Sequence, residues 1–229
     1  MTLFNVFKWF CYCYLLSSYK SLPSAYFFRF YYYVIKNLII PCVTGLKTRN
    51  IKKLQDNKYG ALGYTVLSSY VCPFDCDFYM HKSNSTYFTE LDISRTDLMS
   101  KVFQKLFLES KRYPYVPVAN VFTEFMRELK PFQPYNIVSS ILCWDQKWIF
   151  VISRFMTKNN TVQHTISVTK YVLKNGRITI SPREALEYCG IYNETVAEIS
   201  AQNYKLMSED SGFHNTEALK KIKLDYVHI

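Results

Sequence analysis

Glycine is scarce in this chain, six among 229 residues, and none falls in a pattern that could cradle a phosphate, so a nucleotide-binding glycine loop is excluded. Acidic residues are missing altogether from residues 1–55, which carry eight cations: Lys8, Lys20, Arg29, Lys36, Lys47, Arg49, Lys52 and Lys53. The net charge of +10 belongs to that segment, because of the 28 Lys and Arg only 20 remain elsewhere, against 18 acidic residues. A nucleic-acid partner is not implied: the N-terminal cations and aromatics form an apolar helical pattern rather than a stacking platform. Cysteine at Cys11, Cys13, Cys42, Cys72, Cys76, Cys143 and Cys189 shows no metal-ligand spacing and reads as free thiol in a reducing compartment. No Ser-His-Asp or Cys-His spacing, internal repeat or low-complexity tract stands out, and no cofactor or metal is implied.

What is present first is apolar and aromatic. Residues 3–17, LFNVFKWFCYCYLLS, are short and interrupted by Lys8, too little for a membrane span. Ala25 to Val43 forms a second run, with Arg29 and Lys36 seven residues apart on one helical face and Phe27, Phe28, Tyr31, Val34, Ile35 and Leu38 turned elsewhere. This suits a helix in a membrane interface; the other reading is a helix packed on the folded domain. The acid-free, basic segment also has the bias of a mitochondrial targeting region, with endoplasmic reticulum as the second address, and lacks the features of a secretory signal. Residues 44–59 read as a linker.

The rest of the chain is organised around Cys72 to Arg95, CPFDCDFYMHKSNSTYFTELDISR. A strand over Leu62–Val71 delivers a polar loop with Asp75, Asp77 and His81, and Asn84, Ser85 and Thr86 are helix N-cap types. A carboxylate beside a helix start has chemical content, since first-turn N–H groups polarise a carbonyl while the carboxylate attacks it or activates water. Behind it Tyr87, Leu91, Leu98, Val102 and Leu106, widened by Phe88, Met99, Phe103 and Phe107, predict a long helix covered over most of its circumference. Asp92 and Arg95 stand at pairing distance on it. Strands follow over Asn120–Leu129, Tyr135–Trp144 and Trp148–Thr157. The next shows the clearest alternation, with Val162, His164, Ile166, Val168 and Val172 on one face and Gln163, Thr165, Ser167 and Thr169 on the other, before a turn at Asn175-Gly176 and a short last strand. His164, on the apolar face, reads as a core or pocket-lining residue. Ser181-Pro182-Arg183-Glu184 is a capping box opening a helix that Gly190 can end, and further helical stretches follow.

The pattern D-x-D-x-x-x-H-x-x-N-x-x-Y, here Asp75, Asp77, His81, Asn84 and Tyr87, resembles the signature of the 4-hydroxybenzoyl-CoA-thioesterase-like branch of the hot-dog superfamily. Met80 stands where that signature usually has Gly, and Lys82-Ser83-Asn84 where it has Val-Asn-Asn, departures closer to the membrane-associated thioesterase-superfamily-member-six-like subgroup. The resemblance implies an α+β fold, an antiparallel sheet wrapped around a long central helix, over residues 59–181. Residues 1–58 are then a targeting or membrane-associating segment with linker, and 182–229 a C-terminal helical extension. It implies an acyl-CoA or related thioester as substrate, Asp77 as the catalytic carboxylate with His81 and Asn84, and a homodimer or larger homo-oligomer with joined sheets. Asp75, Ser85, Thr86, Tyr87, Lys170 and Arg177 are expected at the substrate, with Lys158 and Lys174 as further candidates for CoA phosphates. Two roles stay open for Asp77, catalyst or helix cap; Asn84 positions water or caps the helix; His81 assists the carbonyl or ties the loop; Asp75 fixes the loop. At the level of function the alternative is a catalytically inactive acyl- or lipid-binding hot-dog scaffold at a membrane.

Overall fold

The computed structural model describes residues 3–110, 114–208 and 216–229; Met1, Thr2 and the part of the C-terminal extension at 209–215 lie outside them. The apolar start folds as expected into helix α1 (Leu3–Ser17), and the second run into one continuous helical rod. This comprises α2 (Ala25–Val34), a turn of π-helix over Ile35–Ile39, and α3 (Ile40–Val43). The stretch read as a linker contains α4 (Lys47–Gln55). Its C-terminal end is held on the domain, Leu54 packing on the core and the Gln55 side-chain amide donating to the Cys189 carbonyl at 2.7 Å.

Next come β1 (Gly63–Tyr70), the central helix α5 (Asn84–Val102) and α6 (Gln104–Glu109). The sheet continues with β2 (Val118–Phe125), β3 (Pro134–Trp144), β4 (Trp148–Thr157), β5 (Val162–Asn175) and β6 (Ile178–Ile180). The extension adds α7 (Pro182–Cys189), α8 (Glu194–Ser208), α9 (Thr216–Lys221) and β7 (Val227–His228). As its capping residues predict, α7 starts with the Ser181 hydroxyl accepting from the Glu184 N–H and ends at Gly190 with φ 75°. The sheet runs β2-β5-β4-β3-β1-β7, with β6 on β5; β7 joins β1 in parallel and the other pairings are antiparallel. One strand, a buried helix, then antiparallel strands closing over it is the hot-dog order.

The alternation along β5 is real, but both of its faces are buried. Its Ser and Thr face lies under α5, where Arg95 donates to Thr169. The Ser94 hydroxyl meets Ser139 at 2.8 Å, Ser139 meets Ser153 at 2.7 Å and Ser167 meets Thr123 at 2.9 Å. Pairing in register puts Ser139, Ser153 and Ser167 side by side on three strands. The hydroxyls of Ser94, Ser139 and Ser153, and those of Thr123 and Ser167, satisfy one another there, which makes a polar row tolerable in a core. Ile166 and Val168 face the other way, onto a second cluster with Leu142, Phe150, Ile152, Met207, Leu219, Ile222 and Leu224. The C-terminal extension is thus the cover of the sheet's outer face. Arg154 fastens it by donating to the carbonyls of Leu219 and Ile222 at 2.6 and 2.7 Å.

Candidate active site

After β1 the chain makes a 3-10 turn over Pro73–Asp75 and then a narrow tongue closed by an antiparallel bridge between Cys76 and Lys82. Within the tongue the Asp77 N–H donates to the His81 carbonyl at 3.0 Å and the Met80 N–H to the Asp77 carbonyl at 3.1 Å. This tight reversal forces Met80 to φ 57°, the left-handed region that only glycine enters freely. The residue that the resembled signature prefers there therefore has a geometric reason. Below the tongue the Lys82 N–H donates to the carbonyl of buried Leu129 and the Ser83 N–H to the Asp75 carbonyl at 2.7 Å, so α5 begins directly against it.

Two carboxylates two residues apart meet opposite surroundings. The Asp77 side chain is 30 % exposed; one oxygen accepts the Tyr79 N–H at 2.9 Å and the other stands 3.4 Å from His81 Nδ1. The His81 ring is itself 30 % exposed and stacks on Tyr79 with centroids 5.8 Å apart. Asp75, by contrast, is 4 % exposed and surrounded by donors. Lys20 Nζ lies at 2.9 Å, Lys82 Nζ at 3.2 Å, and the Ser21 hydroxyl donates at 2.6 Å. Burial alone would raise the Asp75 carboxyl, but Lys82, Lys20 and Ser21 outweigh it and hold it down at about 2. Lys20 also bonds Glu90 of α5 at 3.1 Å, and Arg29 of α2 forks onto both Glu90 oxygens at 2.8 Å. Burial of Glu90 is likewise overcome, chiefly by the Arg29 hydrogen bonds and Lys20, and its carboxyl is lowered. Lys20, Lys82, Glu90 and Asp75 are all buried polar residues.

Asn84 and Ser85 are exposed in the first turn of α5, where N–H groups have no intrahelical acceptor. The cap position belongs to Ser83, which makes no side-chain cap bond. Thr86 is tied inward, its hydroxyl donating to the Ser83 carbonyl at 2.8 Å and accepting from Lys82 Nζ at 3.1 Å. Tyr87 is buried against Phe125 and Phe155, and burial pushes its phenol up to about 12. The site residues from Asp75 to Tyr87 therefore converge on one corner, while the two expected CoA cations do not join them. Lys170 lies over the Trp148 and Phe150 rings, and Phe150 belongs to the sheet's outer face. Arg177 follows Gly176 in the β5–β6 turn. His164 is buried between the Thr157 hydroxyl and the Glu128 carbonyl, and Asp92 pairs with Arg95. All seven cysteines are free thiols. Among the described residues no group of three His, Cys, Asp or Glu side chains is arranged to hold a metal.

Sequence reasoning missed Lys20, Lys82 and Glu90. One signal was available: a helix read as covered nearly all round carries Glu90, Arg95 and Asp97, and each needs a buried partner.

Residues 71–183 match the model of the thioesterase-like superfamily. A probable thioesterase of Saccharomyces cerevisiae is 62 % identical over 222 residues, spanning 97 % of this chain and 96 % of the relative. A thioesterase of Penicillium oxalicum is 32 % identical over 225 residues, 81 % of this chain and 72 % of the relative. Protein THEM6 of Xenopus laevis is 28 % identical over 153 residues, 66 % of this chain and 65 % of the relative.

Proposed function

Because the chain belongs to the thioesterase-like superfamily, we propose that it hydrolyses an acyl-CoA or related thioester with Asp77 as the acting carboxylate. The observation that carries this reading is the contrast within the D-x-D pair: Asp75 is spent on buried cations, whereas Asp77 is accessible and lightly engaged. The thioester carbonyl would sit over the first turn of α5, its oxygen polarised by the Asn84 and Ser85 N–H groups. Asp77 takes a proton from water as the hydroxide adds to the carbonyl carbon. The tetrahedral intermediate then collapses, the C–S bond breaks, and the thiolate recovers that proton, giving free acid and thiol. His81 keeps the Asp77 carboxylate turned toward the reacting water.

Three further parts belong to the same reading. A groove of about 360 Å³ between α2, α5, α6 and the sheet, walled by Phe30, Met99, Phe107 and Tyr171 and carrying the Asp92–Arg95 pair, is within the roughly 300–1,000 Å³ usual for ligand sites and can take an acyl chain. Strand β2 ends the sheet with an unpaired edge among the described residues, which suits a homodimer, since an open edge invites a second strand. Of the N-terminal segment, α1 is the membrane-associating part, whereas the Ala25–Val43 helix packs on the domain through Tyr26, Phe30 and Tyr33 and is bonded to α5 by Arg29 and Asn37. The segment is retained, because cleavage would strip Lys20 and Arg29 from two buried carboxylates; a mitochondrial or endoplasmic-reticulum address must then be an uncleaved one. The scaffold alternative draws on Met80, whose left-handed backbone is strained relative to glycine in the turn carrying Asp77.

Thiol release from short, medium and long acyl-CoAs, by the protein and by Asp77→Asn, tests the reading. Turnover in the parent and a loss of about 100-fold or more in the folded variant is expected; acyl-CoA bound without turnover in the parent would establish the scaffold instead.

A further inference from the structure

We propose that the Asp77–His81 tongue and α1 enter a single anionic bilayer surface together, and that the protein takes a long-chain acyl thioester directly from that surface. The substrate class rests on the thioesterase reading; the docking does not. Phe78, Tyr79 and Met80 form the tip of the tongue and are 94, 78 and 68 % exposed. Three consecutive large apolar side chains at the most projecting point of a loop are an apolar patch that water does not favour. The turn at the base of the tongue touches α1. The edge of Tyr14 meets the Phe74 ring at a centroid distance of 5.1 Å, and Phe74 is itself exposed.

No residue of α1 is buried, and Leu3, Phe4, Phe7, Trp9, Phe10 and Leu16 are exposed on successive sides of it. A protein partner covers one stripe of a helix; hydrocarbon and headgroups wet all of it. Its 15 residues span about 22 Å, short of the roughly 30 Å hydrocarbon core. Among the described residues no helix is long and apolar enough to cross a membrane. A helix lying in the interface fits, with Lys8 extending its stem to the headgroups. The lipid charge follows from α1 itself, which carries Lys8 and no Asp or Glu.

What makes this one surface rather than two is the bonding beneath it. The Tyr70 hydroxyl, at the end of β1, donates to the Ser17 carbonyl at 2.6 Å. Four residues on, Ser21 and Lys20 are bound to Asp75, two positions before Asp77. Helix α1 is therefore tied to the base of the tongue, and insertion of one carries the other. With the tip in the hydrocarbon boundary, Asp77 and His81 lie at headgroup depth. That is where the thioester of an acyl-CoA resides when its chain, at about 0.8 kcal/mol per buried CH₂, is anchored in the membrane.

Full-length Phe78→Trp protein, mixed with phosphatidylcholine–phosphatidylserine vesicles carrying brominated acyl chains, should show quenching beyond that of the parent, whose tryptophans are Trp9, Trp144 and Trp148. A Phe78→Ser/Met80→Ser variant, which leaves the Tyr79 ring on His81, should bind the vesicles roughly tenfold or more weakly. It should hydrolyse vesicle-presented palmitoyl-CoA more slowly, with hydrolysis of a soluble short-chain acyl-CoA unchanged. If the thioesterase reading is wrong, both hydrolyses fail in the parent while the quenching persists. Quenching equal to the parent's would overturn the proposal, whether α1 docks alone or a second copy of the chain covers the tip, the latter showing as self-association lost in the double variant.

Discussion

Asp75 and Asp77 sit in one loop with one intervening residue, yet they do opposite work. On the inner side Asp75 meets two lysines and a hydroxyl in a buried cluster that spans three parts of the chain: residues 20–29, the loop, and the central helix. On the outer side Asp77 meets a backbone N–H and a half-exposed imidazole. A carboxylate whose lone pairs are saturated by fixed cations is an anchor; one with an accessible oxygen is available for chemistry. The inner half explains why the outer half can be so spare, since the tongue is held from below.

The harshest way to break the inner half is to remove residues 1–45. This deprives Asp75 and Glu90 of Lys20 and Arg29 together. At about 3–5 kcal/mol for each buried pair broken, the loss rivals the roughly 5–15 kcal/mol stability of a whole domain. The expected product has no cooperative unfolding transition in urea, and a truncated protein that melts like the parent would show the cluster to be dispensable. A single Lys20→Met change should cost about 3 kcal/mol, read from the urea midpoint.

Acid sharpens the same contrast. The Asp75 carboxyl is lowered from 3.8 to about 2, so its contribution is present above pH 4 and is lost as pH falls through 2, because the unfolded chain binds the proton first. About 2 kcal/mol should disappear over that window, and Asp75→Asn, less stable at neutral pH, should lack that component of the decline. Smallest is the tongue's own strain. Met80→Gly relieves a left-handed backbone and should stabilise the protein by roughly 0.5–1 kcal/mol, visible as a modest rise in Tm.

The hot-dog order was legible because its signals are local. Trp148–Thr157 begins and ends where its β-branched and aromatic residues do, and the run after Asn84 forms the buried helix. The candidate turn was legible through its spacing. Three features were not, each because it depends on residues far apart in the chain. Lys20 looks like a solvated cation between apolar runs until Asp75 and Glu90, 55 and 70 residues on, are folded against it. The alternation along β5 does not say which face meets the central helix: Ile166 and Val168 meet Met207 and Leu219 of the extension, leaving hydroxyls inside. The charged stretch after Val43 reads as a linker because Leu54 and Gln55 alone give no sign of the surface at Cys189 that orders them.

The decisive measurement is thiol release per folded molecule for the parent, Asp77→Asn and Asp75→Asn, side by side on one acyl-CoA panel, with urea midpoints for all three. The account predicts that Asp77→Asn keeps the parental midpoint and loses activity by about 100-fold or more, whereas Asp75→Asn lowers the midpoint and keeps turnover in the folded fraction. Parental turnover in folded Asp77→Asn would contradict it.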